Sequence, residues 1–284
     1  MIEIRHKTSG ELLGSWEGDS LVGADLRDMR LNEADLQGAD LKGARLDGAA
    51  LVEVDLRGAN LERASLRGAH LNRAELAGAR LYGAQLGHEI RSNAAMLSGA
   101  NLSGADLSRT DLRNVELRNA NLQEANLSCA DMRGADFHGS NMCRLVAHNG
   151  LFIKANLREV MLCEADVRDS HLNDANLVRA TLHRSDFSSR HPDGFTVLNL
   201  ANLDGADLTG AILRNCSAEG AVFRHANLTD VDLSYAVLGG AILRGANVTN
   251  ANFEGVELAT VTMDFANFSK ARNAQIPSYK ANLR

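Results

Sequence analysis

From Leu26 to Leu86 a leucine falls on every fifth position: Leu26, Leu31, Leu36, Leu41, Leu46 and onward. Two residues before each, the position is nearly always small, as at Ala24, Ala34, Ala39, Ala44, Ala49 and Ala59; the residue between is usually Asp, Asn or another polar group. A helix turns about 100° per residue, so side chains five apart diverge by about 140° and make no apolar stripe. A long flat strand fails too, because an odd repeat sends successive leucines to opposite faces. Locally the alternation does fit, with centre and centre −2 on one side and centre −1 on the other. The two remaining residues must then turn the chain. Gly38, Gly43, Gly48, Gly58, Gly68 and Gly78 stand at these corners, where permissive backbone is needed. The pattern predicts an all-β coil that collects Leu and Ala inside and stacks its turns about 4.8 Å apart.

The phase slips twice, by one residue each time. The first slip spans GHEIRSNAAM, residues 87–96; the second spans SSRHPDGFTV, residues 188–197, where Pro192 and Gly194 mark a turn. Both read as bulges or slightly protruding corners. Residues 1–20 lie outside the repeat, and MIEIRHK and ELLGSW around Thr8-Ser9-Gly10 predict a hairpin cap. Repeats fill residues 21–268, and residues 269–284 form a C-terminal cap.

The units ADLQG, ANLER, ADLSR, ANLQE and ANLTD resemble the pentapeptide repeat family. That resemblance implies a right-handed quadrilateral β-helix with four pentapeptides per turn, here about 12 coils, since a solenoid grows by stacking. It also implies a non-catalytic protein-binding rod. In the family's quinolone-resistance branch such a rod is a DNA mimic that binds DNA gyrase or topoisomerase IV and modulates fluoroquinolone action. The alternative is a scaffold or adapter with a different protein partner.

Composition changes this picture little. The net charge is −6 from 30 basic and 36 acidic residues, with no Lys/Arg run that would suggest direct nucleic-acid binding. No stretch approaches a membrane span, and the polar N-terminus suggests no signal peptide, so a cytoplasmic location is expected. Cys129, Cys143, Cys163 and Cys216 lack C-x-x-C spacing, which suits a reducing compartment. Cys143, Cys163 and His183 fall twenty apart, but a straight line of ligands is a poor tetrahedron; the three read as coincidental surface residues, and neither metal nor cofactor is expected. No nucleophile-elbow or phosphate-loop pattern occurs, so the chain is not expected to be an enzyme.

With four units per coil, positions twenty apart share a face. Asp35, Asp55 and Glu75 then form an acidic column, and Asp106, Asp166, Asp186 and Asp207 form another with Asn227, Asn247 and Asn267. These carboxylates are the candidate partner-binding residues. The same polarity is expected from packing alone, because amide ladders support stacked strands, and Arg27, Arg57, Arg67, Arg109 and Arg168 lie near these faces. In the last third the outward position turns apolar at Ile212, Val222, Val237 and Ile242. Val222, Val237 and Ile242 are the candidates for self-association, as a homodimer.

Overall fold

A computed structural model describes residues 1–189 and 196–280; His191, Pro192 and Gly194, the last two read as a turn, lie outside the described residues. The chain divides into two compact units, Met1–Met142 and Cys143–Arg284. Helical backbone among the described residues is confined to two short 3₁₀ turns, Arg91–Asn93 and Ser278–Lys280.

Both units follow one rule. Outside the two breaks, residues preceding repeat centres form parallel bridges with the residue twenty positions on, as Asp35 does with Asp55 and Asn227 with Asn247. Four such ladders run in the first unit, beginning at Asp25, Arg30, Asp35 and Asp40, and four in the second, beginning at Val146, Leu151, Asn156 and Met161.

One repeat shows why the five positions carry the residues they do. Leu56 N–H donates to Glu75 O at 2.7 Å, Gly58 N–H to Ala77 O at 3.0 Å, Ala59 N–H to Leu56 O at 3.0 Å, and Asn60 N–H to Ala39 O at 2.9 Å. The fifth donor, Arg57 N–H, has no carbonyl to meet and is taken by the Asp55 side chain at 3.1 Å. The same bond recurs from Glu62 N–H to Asn60, from Gln123 N–H to Asn121 and from Val178 N–H to Asn176. Asp or Asn before each centre is therefore a backbone cap, for which a short side chain with an acceptor oxygen is suited.

Inside, the leucine centres and the alanines two residues before them are buried, joined by Phe137 in the first unit and by Phe152, Phe187, Phe223 and Phe253 in the second. A small residue two before the centre leaves room for those large side chains at crystal-like packing density. Where Thr or Ser replaces Ala, its hydroxyl donates to backbone: Thr110 to Leu81 O at 3.0 Å and Ser140 to Leu117 O at 2.5 Å. The corner is left-handed whatever residue fills it, with φ of 65° at Gly58 and 57° at Arg63. A non-glycine corner costs about 1 kcal/mol of backbone strain, which the surrounding ladder bonds offset.

At the N-terminus, β1 (Ile2–Arg5) and β2 (Leu12–Trp16) pair antiparallel, with Ile2 opposite Trp16. This hairpin seals the first coil: Asp35 N–H donates to Arg5 O and Lys7 N–H to Glu33 O, each at 2.8 Å, and Ile4 is buried beneath. Backbone that a stacked sheet leaves open at its edge is thereby paired.

The breaks differ from the sequence reading. Across the first, His70 stands opposite Met96 and Gln85 opposite Asp111, pairs 26 apart instead of 20, so six residues leave the ladder. Sequence phase registers only one of them, because the other five equal a whole repeat. The slip is a protruding loop rather than a one-residue bulge. Asn114 Nδ2 ties it down by donating to His88 O at 2.9 Å and Glu89 O at 3.1 Å, and Arg91 reaches the buried Asp136 carboxylate at 3.3 Å. The second break has the same 26-residue register, with His171 opposite Val197.

Candidate protein-binding surface

The acidic column of the first unit is continuous: Asp35 bridges to Asp55, and Asp55 to Glu75. Asp106 stands opposite Asn126 in the same unit, and in the second unit Asp166 stands opposite Asp186. Asp207 does not extend that column. The six-residue jog puts Ile212 opposite Asp186 and moves Asp207 opposite Thr181, at the head of Asn227, Asn247 and Asn267. The second acidic column expected from twenty-residue arithmetic is therefore split among three ladders: Asp106 on the one from Asp40, Asp166 and Asp186 on the one from Val146, and Asp207 on the one from Met161.

These carboxylates are engaged within the protein. In the units that read Asp-x-Arg with an apolar centre x (Leu26, Leu56, Leu112, Met132 or Val167), the acid and the arginine flank an inward side chain, so strand alternation returns both to the outer side. Arg57 grips Asp55 in two bonds of 2.9 and 2.5 Å, Arg113 grips Asp111 at 3.0 and 2.9 Å, and Arg133 grips Asp131 at 2.8 and 2.5 Å. Asp25–Arg27 and Asp166–Arg168 have the same forked geometry, the strong form of a charge-assisted bond. Glu75 accepts from Asn101 at 2.9 Å, Asp106 from Ser108 Oγ at 2.6 Å, and Asp207 from Thr209 Oγ1 at 2.6 Å with His183 Nε2 at 2.7 Å. Arg168 Nε lies 3.6 Å from Asp186, while exposed Asp35 accepts the Gln37 N–H at 3.2 Å.

The clamps shift acidity. The Arg27 hydrogen bond holds the Asp25 carboxyl at about 2. Burial pushes Asp166 up, but bonds from Arg168 and His148 outweigh it and hold that carboxyl at about 2 as well. A depressed carboxylate pKa gives stability that is present above the unfolded value and lost as pH falls through the folded one. Thermal stability should accordingly stay level down to about pH 4 and decline from there toward pH 2. In an acid melting series, Asp166→Asn should show a shallower decline than wild type.

A different surface lies on the second unit, between residues 197 and 262. Asn202, Val222, Ile242 and Thr262 follow one another on one ladder, and Val197, Ser217 and Val237 on the ladder beside it; none of the seven is charged. Val237 is 51 % exposed, and Val222 and Ile242 are half-buried in their own strands. The corner between the two ladders carries Asn199 and Leu200, Glu219 and Gly220, and Gly239 and Gly240. Leu200 is 63 % exposed and lies across the bare Gly220 backbone.

A cleft of about 620 Å³ in the second unit is lined by Arg224, His225, Arg244, Gly245 and Phe265. A cleft of about 380 Å³ opens under the first loop, lined by Asp47, Arg67, His88, Ser92 and Asn93. Among the described residues no three His, Cys, Asp or Glu side chains are placed to hold a metal ion, and no helix is long and apolar enough to cross a membrane. The cysteine reading needs correction: Cys143 and Cys163 are not coincidental neighbours but a disulfide between adjacent turns of the second unit, with Cα atoms 4.6 Å apart. His183, the third residue of that line, is paired with Asp207 instead.

The model of the Pentapeptide repeats family matches residues 20–58, 55–88, 93–114, 100–139, 152–188, 201–240 and 241–272. The chain belongs to the pentapeptide repeat family. Its described all-β, stacked-bridge structure is that of the family's right-handed β-helix. Among solved structures, this pentapeptide repeat protein is similar to HetL, a pentapeptide repeat protein involved in heterocyst differentiation regulation from the cyanobacterium Nostoc (30% identity over 87% of this chain and 90% of HetL, TM-score 0.27). It is also similar to full-length QnrB1, a plasmid-mediated fluoroquinolone resistance protein (17% identity, 79% and 91% covered, TM-score 0.40). A pentapeptide repeat protein of the Arabidopsis thaliana thylakoid lumen matches at 34% identity over 39% of this chain and 63% of its own (TM-score 0.13). No match was found among curated proteins. Family membership rests on the repeat match and not on these superpositions.

Two features of this pentapeptide repeat protein escape a reading of centres alone. Leu200, like Tyr235 and Phe265, is a large apolar side chain at a corner, out of phase with the core and exposed; a search for apolar residues off the five-residue phase would find all three. Asp136 occupies an ordinary outward position in the sequence, yet is buried between Arg118 at 2.7 Å and Arg91 at 3.3 Å. Its role depends on the six-residue loop, which the phase conceals.

Proposed function

We propose that the protein is a non-catalytic protein-binding module that engages its partner through flat outer ladders. The observation that carries this reading is the state of the outer side chains. The candidate carboxylates sit in ladders, capped or clamped, and among the described residues no acid, base and nucleophile converge in a cleft of the kind that default ligand sites occupy. The proposal takes each coil as four-sided and the chain as about 12 coils, in keeping with solenoid growth by stacking.

Two forms of the module differ in partner. In the DNA-mimic form, Asp35, Asp55 and Glu75, with Asp106, Asp166, Asp186 and Asp207, stand in for phosphates in the basic DNA groove of gyrase or topoisomerase IV. The consecutive Asp35–Asp55–Glu75 ladder favours it. B-DNA presents about one charge per 1.7 Å, whereas one ladder offers one acid per coil, about 4.8 Å, and Arg57 neutralises the middle member. In the adapter form the contact runs through the two ladders Asn202–Thr262 and Val197–Val237 of the second unit, whose outward residues carry no charge, and the partner includes a second copy of this chain. The arginine clamps make the adapter form the better supported.

A gyrase supercoiling assay, with and without a fluoroquinolone, separates them. The adapter form predicts that wild-type protein neither inhibits supercoiling nor reduces drug-stabilised cleavage. Inhibition that weakens with salt and is lost in the Asp35→Asn, Asp55→Asn, Glu75→Gln variant would establish the mimic form instead. Inhibition retained in that variant would mean that other residues carry it.

A further inference from the structure

We propose that Cys143 and Cys163 are a reversible thiol–disulfide modification site on the outside of the second unit, closed by peroxides and reopened by small thiols while the fold stays intact. Each follows a buried centre, Met142 and Leu162, and so projects outward, where both are half-buried rather than sealed. The four cysteines of the chain fall into three environments. Cys216 lies in the core, where burial pushes its thiol up to about 12 and makes it inert. Cys129 is a free thiol at an exposed corner. Only Cys143 and Cys163 stand side by side.

What makes the pair reversible is that the ladder, not the sulfur bridge, holds it together. Arg144 N–H donates to Cys163 O at 2.8 Å, Ala147 N–H to Asp166 O at 2.8 Å, and Asp166 N–H to Leu145 O at 2.9 Å. Beneath them Leu145, Leu162 and Ala165 are buried. Breaking the bridge leaves these contacts in place, so two free thiols remain neighbours and reclosure is intramolecular. A disulfide needed for folding would instead join segments that nothing else holds. Exchange requires access of the attacking thiolate to a bridge sulfur, which the outward placement gives.

Closure consumes one peroxide. A thiolate of the reduced pair attacks a peroxide oxygen, the O–O bond breaks, and the sulfur becomes a sulfenic acid while hydroxide leaves as water after taking a proton. The second thiolate attacks that sulfur; the S–S bond forms, the S–O bond breaks, and a second water leaves. Two thiols and one peroxide give one disulfide and two waters, the sulfurs losing the two electrons that the peroxide gains. Reopening takes two molecules of a small thiol, which leave as their own disulfide and supply two electrons and two protons.

The test uses the full chain and a thiol-specific chromogen. Native oxidised protein should titrate one thiol, Cys129; after dithiothreitol and desalting it should titrate three, with the fourth, Cys216, appearing only on unfolding. One equivalent of hydrogen peroxide should return the count to one, and far-UV circular dichroism should be unchanged throughout. In a Cys129→Ser background the counts become none and two, and adding Cys163→Ser should leave a sulfenic acid that a dimedone probe traps. Loss of the β-signal on reduction would show a structural staple and overturn the proposal. So would a count that stays at three after peroxide, or a native bridge that dithiothreitol does not open.

Discussion

Leu122→Asp should abolish folding of the first unit. Leu122 is fully buried, and its own N–H bonds Asn141 O at 2.7 Å in the next turn. A carboxylate there meets only apolar side chains. An unpaired buried charge costs about 3–5 kcal/mol, added to about 2–5 kcal/mol for losing the leucine itself. A whole domain is stable by only about 5–15 kcal/mol, so the variant should lose its β-signal or its solubility. Leu122→Ala removes packing without adding charge and should remain folded with a lowered melting temperature. Because each coil of a solenoid touches only its neighbours, hydrogen exchange in Leu122→Ala should rise most around residues 102 and 141. A uniform rise across the unit would contradict a stacked repeat.

Gly87→Ala should cost about 3 kcal/mol, the upper part of the range for overpacking. At Gly87 the chain leaves the ladder while still bonded to it: Gly87 N–H donates to Asp111 O at 2.8 Å and His88 N–H to Arg113 O at 3.1 Å. An added Cβ would stand 2.3 Å from Arg113 N and 2.3 Å from the Asp111 side chain. The obstacle is backbone, locked in place by the Asp111–Arg113 clamp, so it cannot turn aside as a flexible side chain would. A melting temperature lowered by about 6–12 °C is expected. Gly58→Ala is the contrasting case, since nothing lies within 4 Å of its added Cβ and the strain there comes only from φ of 65°. If the two variants melt together, the close approach at Gly87 is not what the loop exit depends on.

The fold was legible because each repeat states its own packing. Leu at the centre and Ala two before it are read directly as inward, and the Asp35–Asp55–Glu75 ladder lies within a single unbroken phase, so its stacking could be counted. What could not be counted was anything across a break. Phase is known only modulo five, and six looped residues look like one; that is why Asp207 was joined to Asp186 when its neighbour is Thr181. The arginines were legible as residues but not as partners. Arg57 reads as a charge opposing the acidic column, whereas in space it folds back on Asp55 of its own strand. The Cys143–Cys163 bridge is visible in the sequence as a twenty-residue spacing, a distance that means contact only once the coil length is known. Leu200 carries no phase signal, because it stands two positions after the centre Leu198 rather than on the five-residue phase.

Sedimentation equilibrium most directly tests the proposed contact through the uncharged ladders of the second unit. Wild-type protein should be dimeric at high micromolar concentration, with little dependence on salt. A Val222→Lys, Ile242→Lys variant, unchanged in circular dichroism, should sediment as a monomer, while Asp35→Asn, Asp55→Asn, Glu75→Gln should remain dimeric. A wild-type monomer at high micromolar concentration, or a lysine variant whose mass does not change, would contradict it.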